Sequence, residues 1–339
     1  MLDGMLRQAA LGTCLVCLMA AVGSGEEGAR TIGSVERLDP RMDHLVPREA
    51  VIEVLADGLA WAEGPVWDRT NRRLLFSDIP NNTVHSWSDE RGLEVFLKPS
   101  GYTGDAPFAG REPGSNGLAF DDRGRLVLCQ HGDRRIARLE AGRFEAVVDR
   151  FEGRKFNSPN DLVFAADGSL YFTDPAYGLP KTFDDPAREL DWCGVYCRAP
   201  DGELTLVVKD LKAPNGIGLS PDGRTLYVNQ SHAEEAVLMA YDVQPDGAVS
   251  GGRVLFDMTP LVESGPGLPD GLKVDQQGHI FATGPGGVHV LTPGGTHLGT
   301  LRTGVPTANC AFGDDGSTLY ITASDMLCRI RLTTRGLGF

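Results

Sequence analysis

The stretches N160-D-L-V-F-A-A-D-G-S-L-Y-F-T-D174 and N215-G-I-G-L-S-P-D-G-R-T-L-Y-V-N229 are two copies of one pattern. Each begins on an asparagine, alternates apolar residues, turns at Asp-Gly and enters a second apolar run. Leu162 and Phe164, like Ile217 and Leu219, recur with the period of two that marks a strand. Asp167-Gly168 and Asp222-Gly223 then supply the positive φ that a tight hairpin requires.

Four more segments align with this pair: E63-G-P-V-W-D, N116-G-L-A-F-D-D-R-G, D270-G-L-K-V-D-Q-Q-G and N309-C-A-F-G-D-D-G. Their first residues follow one another at intervals of 39 to 55 residues. Repeats of about 40–50 residues, each holding several short strands, mark a β-propeller. Helical periodicity is nearly absent, and six four-stranded blades need about 280 residues. The expected fold is therefore all-β, a six-bladed β-propeller with a central channel. It spans residues 50–339, behind a leader segment at 24–49 and a signal peptide at 1–23.

In a propeller the innermost strands line the channel, so equivalent positions form a ring about the axis. Here the ring is Glu63, Asn116, Asn160, Asn215, Asp270 and Asn309. Six apolar residues would plug the channel. Six oxygen-bearing residues, two of them anionic, instead match the ligand set of a hard cation such as Ca²⁺. No His or Cys stands at these positions to favour a softer metal. Taken singly, Asn-Gly and Asp-Gly are ordinary turn formers. Their recurrence in register, and a glutamate at the first of them, favour ligands over turns.

The 339 residues carry 32 Lys and Arg against 46 Asp and Glu, a formal charge of −14. That balance argues against nucleic acid or an anionic membrane as partner. Arg7, the apolar run A9–G23 and the small residues Ala21-Val22-Gly23 read as a cleavable export signal. The run is short for a membrane span. The expectation is an exported protein, periplasmic or extracellular, with no stable membrane insertion after cleavage and an oligomeric state the residues leave open. Five cysteines would remain. Cys193 and Cys197, on one face of a single strand, would sit roughly 13 Å apart, so buried free thiols are expected rather than a disulfide framework.

The motifs A62-E-G-P-V-W, S115-N-G-L-A-F with C129-Q-H-G-D-R-R, N157-S-P-N-D with Y171-F-T-D-P-A-Y-G, A213-P-N-G-I-G-L-S-P-D, L268-P-D-G-L and T307-A-N-C-A-F-G resemble the senescence marker protein-30/gluconolactonase/luciferin-regenerating enzyme-like family. The resemblance runs from about residue 50 to the end. It implies one divalent cation, Ca²⁺ first with Mg²⁺, Mn²⁺ or Zn²⁺ as alternatives, held by Glu63, Asn215 and Asp270. Asn160 matches a position that binds metal in some relatives and substrate in others, and Asn116 joins it as a substrate-binding candidate. Where the animal branch carries an arginine, this chain has Ser158, so its grip on substrate differs.

The implied activity is a gluconolactonase-like, carboxylic ester hydrolysis that opens a small-molecule sugar lactone. A cation would polarise the carbonyl and activate water. The resemblance makes Asp270 the first candidate for the base. His131 is the second, because imidazole titrates near neutrality. Two bland alternatives stand beside functional readings: His131 as a loop-ordering residue, and D174-P-A-Y177-G as a turn rather than part of the pocket mouth; the Gly/Pro-rich insertion from Tyr102 to Pro113 could cover one end of the channel. Two rival functions also remain: hydrolysis of other lactones, aryl esters or organophosphates at the same site, and a non-catalytic binding propeller with a structural ion.

Overall fold

The computed structural model describes residues 30–339, so the expected signal peptide at 1–23 lies outside the described residues. Six antiparallel sheets follow one another along the chain. Blade 1 comprises Ala62–Asp68, Arg73–Asp78, Thr83–Ser88 and Gly92–Leu97. Blade 2 comprises Ser115–Phe120, Leu126–Gln130, Arg135–Glu140 and Arg143–Val148. Blade 3 comprises Leu162–Phe164, Leu170–Asp174, Gly194–Arg198 and Leu204–Val208, and blade 4 Pro214–Leu219, Thr225–Gln230, Val237–Val243 and Val249–Asp257. Blade 5 starts with Leu272–Val274, Ile280–Gly284, Gly287–Leu291 and His297–Arg302, and blade 6 with Thr307–Gly313, Thr318–Ala323 and Met326–Arg331. The fold is the expected six-bladed propeller, and the Asp-Gly turns hold positive φ at Gly168, Gly223 and Gly316.

Closure comes from the N-terminal side. Ile52–Ala56 pairs antiparallel with Met326–Arg331 and supplies the fourth strand of blade 6. The described part of the segment expected as a leader, residues 30–49, is part of the fold. Thr31–Ile32 extends blade 6 through Ile52–Ala56, and Ser34–Arg37 adds a fifth strand to blade 5 beside His297–Arg302. A short 3-10 turn, Pro40–His44, then buries Met42, with Leu45 and Val46 following it into the same cluster. The propeller thus begins before residue 50, because these strands cover sheet edges that would otherwise be open.

Apolar packing lies between neighbouring blades. Tyr171, Val195 and Cys197 of blade 3 meet Ile217, Leu226 and Val228 of blade 4, and Trp67 of blade 1 stacks on Tyr320 of blade 6 at 5.6 Å between ring centroids. Such wedges are the sheet-on-sheet packing of a sandwich repeated around an axis. They leave the axis itself for other chemistry. All five cysteines of the described residues are buried and unbonded, as expected. Desolvation pushes the thiols of Cys193 and Cys310 up to about 12, which keeps them protonated and inert.

One buried pair makes stability depend on pH. His289 Nε2 lies 3.1 Å from the Pro285 carbonyl, and its Nδ1 is 3.2 Å from His297 Nε2. Burial, then the neighbouring His297, holds His289 down at about 3. The unfolded chain takes up that proton near pH 6.5, so stability is lost as pH falls from there toward the folded value, by up to about 1.4 kcal/mol per pH unit for one group. His289→Gln should therefore flatten the loss of urea midpoint between pH 6.5 and 5, and an unchanged slope would show that the His289 proton is not linked to unfolding.

Candidate functional site

Four of the ring residues, Glu63, Asn116, Asn215 and Asn309, sit at irregularities in the inner strands, and Asn160 and Asp270 lie just before their own inner strands. The register between first and second strands shifts between Glu63 and Val66, Ser115 and Leu118, Pro214 and Ile217, and Thr307 and Asn309. Such bulges re-aim a side chain. The Asn-Gly steps at Asn116 and Asn215 are therefore strand features rather than turns.

The glycines have a separate reason. A Cβ on Gly64 would lie 2.0 Å from the Asn116 carbonyl oxygen of the next blade, and one on Gly216 would lie 2.1 Å from that of Asp270. At Gly271 it would overlap the Asn309 side chain, at 1.9 Å from Cγ. The inner strands touch here. Gly117 N–H donates to the Asn160 carbonyl at 2.7 Å and Gly216 N–H to that of Asp270 at 3.1 Å.

A second set of donors reaches ring carbonyls from the penultimate positions of the second strands. Ser77 Oγ donates to the Asn116 carbonyl at 2.8 Å, Thr173 Oγ1 to Asn215 at 2.7 Å and Asn229 Nδ2 to Asp270 at 2.6 Å. One residue further on, the side chain fixes the approach to its own blade's inner strand. Asp78 accepts from Trp61 N–H at 3.1 Å, Asp174 from Asn157 and Ser158 N–H at 2.8 Å each, and Gln230 from Lys212 N–H at 2.8 Å. This polar pair recurs at Ser77-Asp78, Thr173-Asp174 and Asn229-Gln230, a signal present in the repeats that period-2 apolar counting passes over.

The predicted ring assembles. Asn116 Nδ2 donates to Asn160 Oδ1 at 2.7 Å, and Asn160 Nδ2 to Asn215 Oδ1 at 2.6 Å. Asn309 Nδ2 donates to Glu63 Oε2 at 3.3 Å. The Glu63 and Asp270 carboxyls act on each other, and both are held above the usual carboxylate range, first by burial. Glu63 is 2% exposed, whereas Asp270 keeps part of its surface open although protein atoms crowd it on every side.

Asp161, which the repeat reading left out, belongs to the same cluster. It takes the place of glycine in the blade 3 copy, is buried, and accepts from Leu162 N–H at 2.9 Å and Asn309 Nδ2 at 3.5 Å. Desolvation raises its pKa, and the Lys273 charge opposes that rise. Lys273 Nζ lies 3.5 Å from Asn309 Oδ1.

The donor set suits a hard cation. Three carboxylates crowd one another with a single lysine acting on them, and buried like charges need a proton or a cation to be tolerable. Asp270 Oδ1 and Asn116 Oδ1 are buried without a hydrogen-bond partner, and buried polar atoms are rarely left so. Among the described residues no three His, Cys, Asp or Glu side chains form a metal-holding group by themselves. A cation here would need the asparagine oxygens too.

His131 follows the second strand of blade 2, as expected, but it is fully buried. Its Nδ1 is 3.0 Å from Glu112 Oε2, out of line for a hydrogen bond, and neither ring nitrogen has a hydrogen-bond partner. Glu112 ends the Tyr102–Pro113 insertion, which is tied down where Thr103 Oγ1 donates to Asp133 at 2.6 Å and Asn82 Nδ2 to the Tyr102 carbonyl at 2.8 Å. The Glu112 charge also acts on Asp270, so this insertion faces the ring. His131 is covered, and would reach a substrate only if the Glu112 loop moved.

The opposite end of the channel is different in kind. Leu118, Phe120, Leu162, Phe164, Leu219 and Phe312 line a cavity of about 450 Å³ there, beside the C-terminal residues. The polar end alone gathers acids and amides.

The chain matches the SMP-30/Gluconolactonase/LRE-like region over residues 61–325. A gluconolactonase of Zymomonas mobilis subsp. mobilis is 38% identical over 332 residues, covering 96% of this chain and 93% of that relative. Pentonolactonase XacC of Haloferax volcanii is 33% identical over 285 residues, 81% of this chain and 85% of the relative. A solved gluconolactonase structure from Xanthomonas campestris has a TM-score of 0.77 at 31% identity and covers 90% of this chain and 97% of its own.

The inter-blade contact yields a stability test. Gly216→Ala should cost about 3 kcal/mol, the upper end of overpacking, because its Cβ meets a backbone carbonyl. Gly294→Ala, whose nearest neighbour is Thr292 Oγ1 at 3.9 Å, should be near neutral in the same urea titration.

Proposed function

We propose that this chain, which belongs to the SMP-30/gluconolactonase/LRE-like family and is a lactonase, opens a sugar lactone to its hydroxy acid at the polar end of the propeller channel, with a divalent cation as cofactor. The observation that carries this is the buried Glu63 carboxyl coupled to Asp270, whose Oδ1 is buried without a partner. Glu63, Asn215 and Asp270, with Asn160 beside them, would hold the cation, Ca²⁺ before Mg²⁺, Mn²⁺ or Zn²⁺. When bound, such an ion polarises an ester carbonyl and makes a water more acidic.

The chain's own groups do the rest. Asp270 is the residue placed to take the water's proton: it keeps open surface, whereas Glu63 is enclosed and donates only position. A carboxylate is a weak base at its ordinary pKa; burial raises that of Asp270 in the metal-free protein and a bound cation would oppose the rise, so the assignment rests on its position. Asn116, with its free Oδ1, and Asn160 are the amides available to orient substrate. The lactone's ring oxygen needs a proton as the ring bond breaks. His131, held beside Glu112, is the candidate donor, conditional on movement of the covering loop.

The test is proton release from glucono-1,5-lactone by metal-stripped protein, measured above the spontaneous rate, with Ca²⁺, Mg²⁺, Mn²⁺ and Zn²⁺ restored in turn. Metal-restored turnover is expected, and Asp270→Asn should lower kcat by about 10²–10⁴-fold, the usual worth of a general base, with the fold intact by circular dichroism. Full activity in Asp270→Asn would overturn the assignment of the base. Tight Ca²⁺ binding with no turnover on any lactone would favour a binding propeller with a structural ion.

A further inference from the structure

Tyr177 lies in the loop after the second strand of blade 3, within D174-P-A-Y177-G, and it is part-exposed. Its ring packs edge-on against Phe183 at 5.4 Å. The hydroxyl reaches the Ser231 carbonyl of blade 4 only at 3.4 Å, at the long limit of a hydrogen bond. Beside it are the Asn215 side chain and the charge of Asp270. A phenol that stands next to the ring, keeps part of its surface open and makes only a long hydrogen bond to a backbone carbonyl can exchange that bond for one to a ligand.

The loop that carries it is fixed from below. Ser158 Oγ donates to the Pro175 carbonyl at 2.6 Å and accepts from Gly178 N–H at 2.9 Å, so one buried hydroxyl ties both sides of Tyr177. Gly178 is needed there, since a Cβ would lie 2.6 Å from that of His131 and 2.8 Å from that of Ser158. Asp174 accepts from Asn157 and Ser158 N–H, which fixes the base of the same loop. The turn residues in this motif therefore exist to hold one aromatic hydroxyl against the ring.

We infer that Tyr177 is a specificity-determining residue that hydrogen-bonds a hydroxyl of the lactone substrate, and that Ser158 is its positioning residue. This rests on the lactonase reading and narrows it: the preferred substrates carry hydroxyl groups on the ring. A site built to hydrogen-bond a substrate hydroxyl rejects the analogue that lacks it, because its own polar group is left unpaired. Simple unsubstituted lactones gain nothing from Tyr177.

The test compares glucono-1,5-lactone with δ-valerolactone, the same ring without hydroxyls. Tyr177→Phe should raise KM for gluconolactone about tenfold or more and leave kcat/KM for δ-valerolactone within about twofold. Ser158→Ala should shift selectivity the same way and Ser158→Thr should restore it. Equal losses on both lactones would mean a structural role, and no loss on gluconolactone would mean no contact; either overturns the inference. Binding of the open-chain polyol glucitol by calorimetry gives a readout independent of turnover. If the parent hydrolyses neither lactone, the lactonase reading falls, while glucitol binding that is lost in Tyr177→Phe still supports the Tyr177 contact. A parent that neither turns over nor binds overturns both.

Discussion

Neighbouring inner strands approach one another closely enough that the carbonyls of Asn116, Asn160, Asn215 and Asp270 are taken by an adjacent blade. Gly117 and Gly216 donate backbone N–H to the carbonyls of Asn160 and Asp270, and Ser77, Thr173 and Asn229 add side-chain donors to those of Asn116, Asn215 and Asp270. Each such bond contributes about 1 kcal/mol net, and an orphaned buried carbonyl would cost about 1–3 kcal/mol. The contact therefore matters most as an obligation. Once the backbone is satisfied sideways, the bulged residue can direct its side chain to the axis.

That arrangement separates two kinds of interior. Apolar side chains fill the wedges between blades, where Tyr171, Ile217, Trp67 and Tyr320 lie. The axis is given to Glu63, Asp161, Asp270 and the asparagines, three of which donate one to the next or to Glu63. Buried acids so close together are unfavourable for folding alone. Their retention at one end of the channel is the mark of a site, since functional sites are where pKa values are pushed furthest. The opposite end, lined by Leu118, Phe120 and Phe312, carries no such cost.

Loops then decide what the ring acts on. The Tyr102–Pro113 insertion brings Glu112 over His131, and the Asp174–Gly178 loop brings Tyr177 beside Asn215 and Asp270. A rigid scaffold with variable loops is the usual division of labour in such folds. Ser158 illustrates it: a small hydroxyl in a buried position holds a loop residue that can meet substrate.

The sequence by itself determined the architecture, because period-2 alternation and Asp-Gly turns at regular intervals are local properties that need no knowledge of distant partners. It also pointed to six polar residues about the axis, since a polar residue repeated in register fits a shared axis, but it left out Asp161. Tertiary structure decided the rest. Asp161 was hidden because it replaces a glycine, and Lys273 and Glu112 because nothing in their own neighbourhoods marks them; they matter through groups distant in the chain, Asn309 for Lys273 and His131 and Asp270 for Glu112. The leader's place in blades 5 and 6 was equally illegible, for strands such as Ser34–Arg37 gain their stability only from an edge almost the whole chain length distant. His131 shows the limit from the other side: its residue type suggested catalysis, but its burial beneath Glu112 follows from a loop whose path no local pattern encodes.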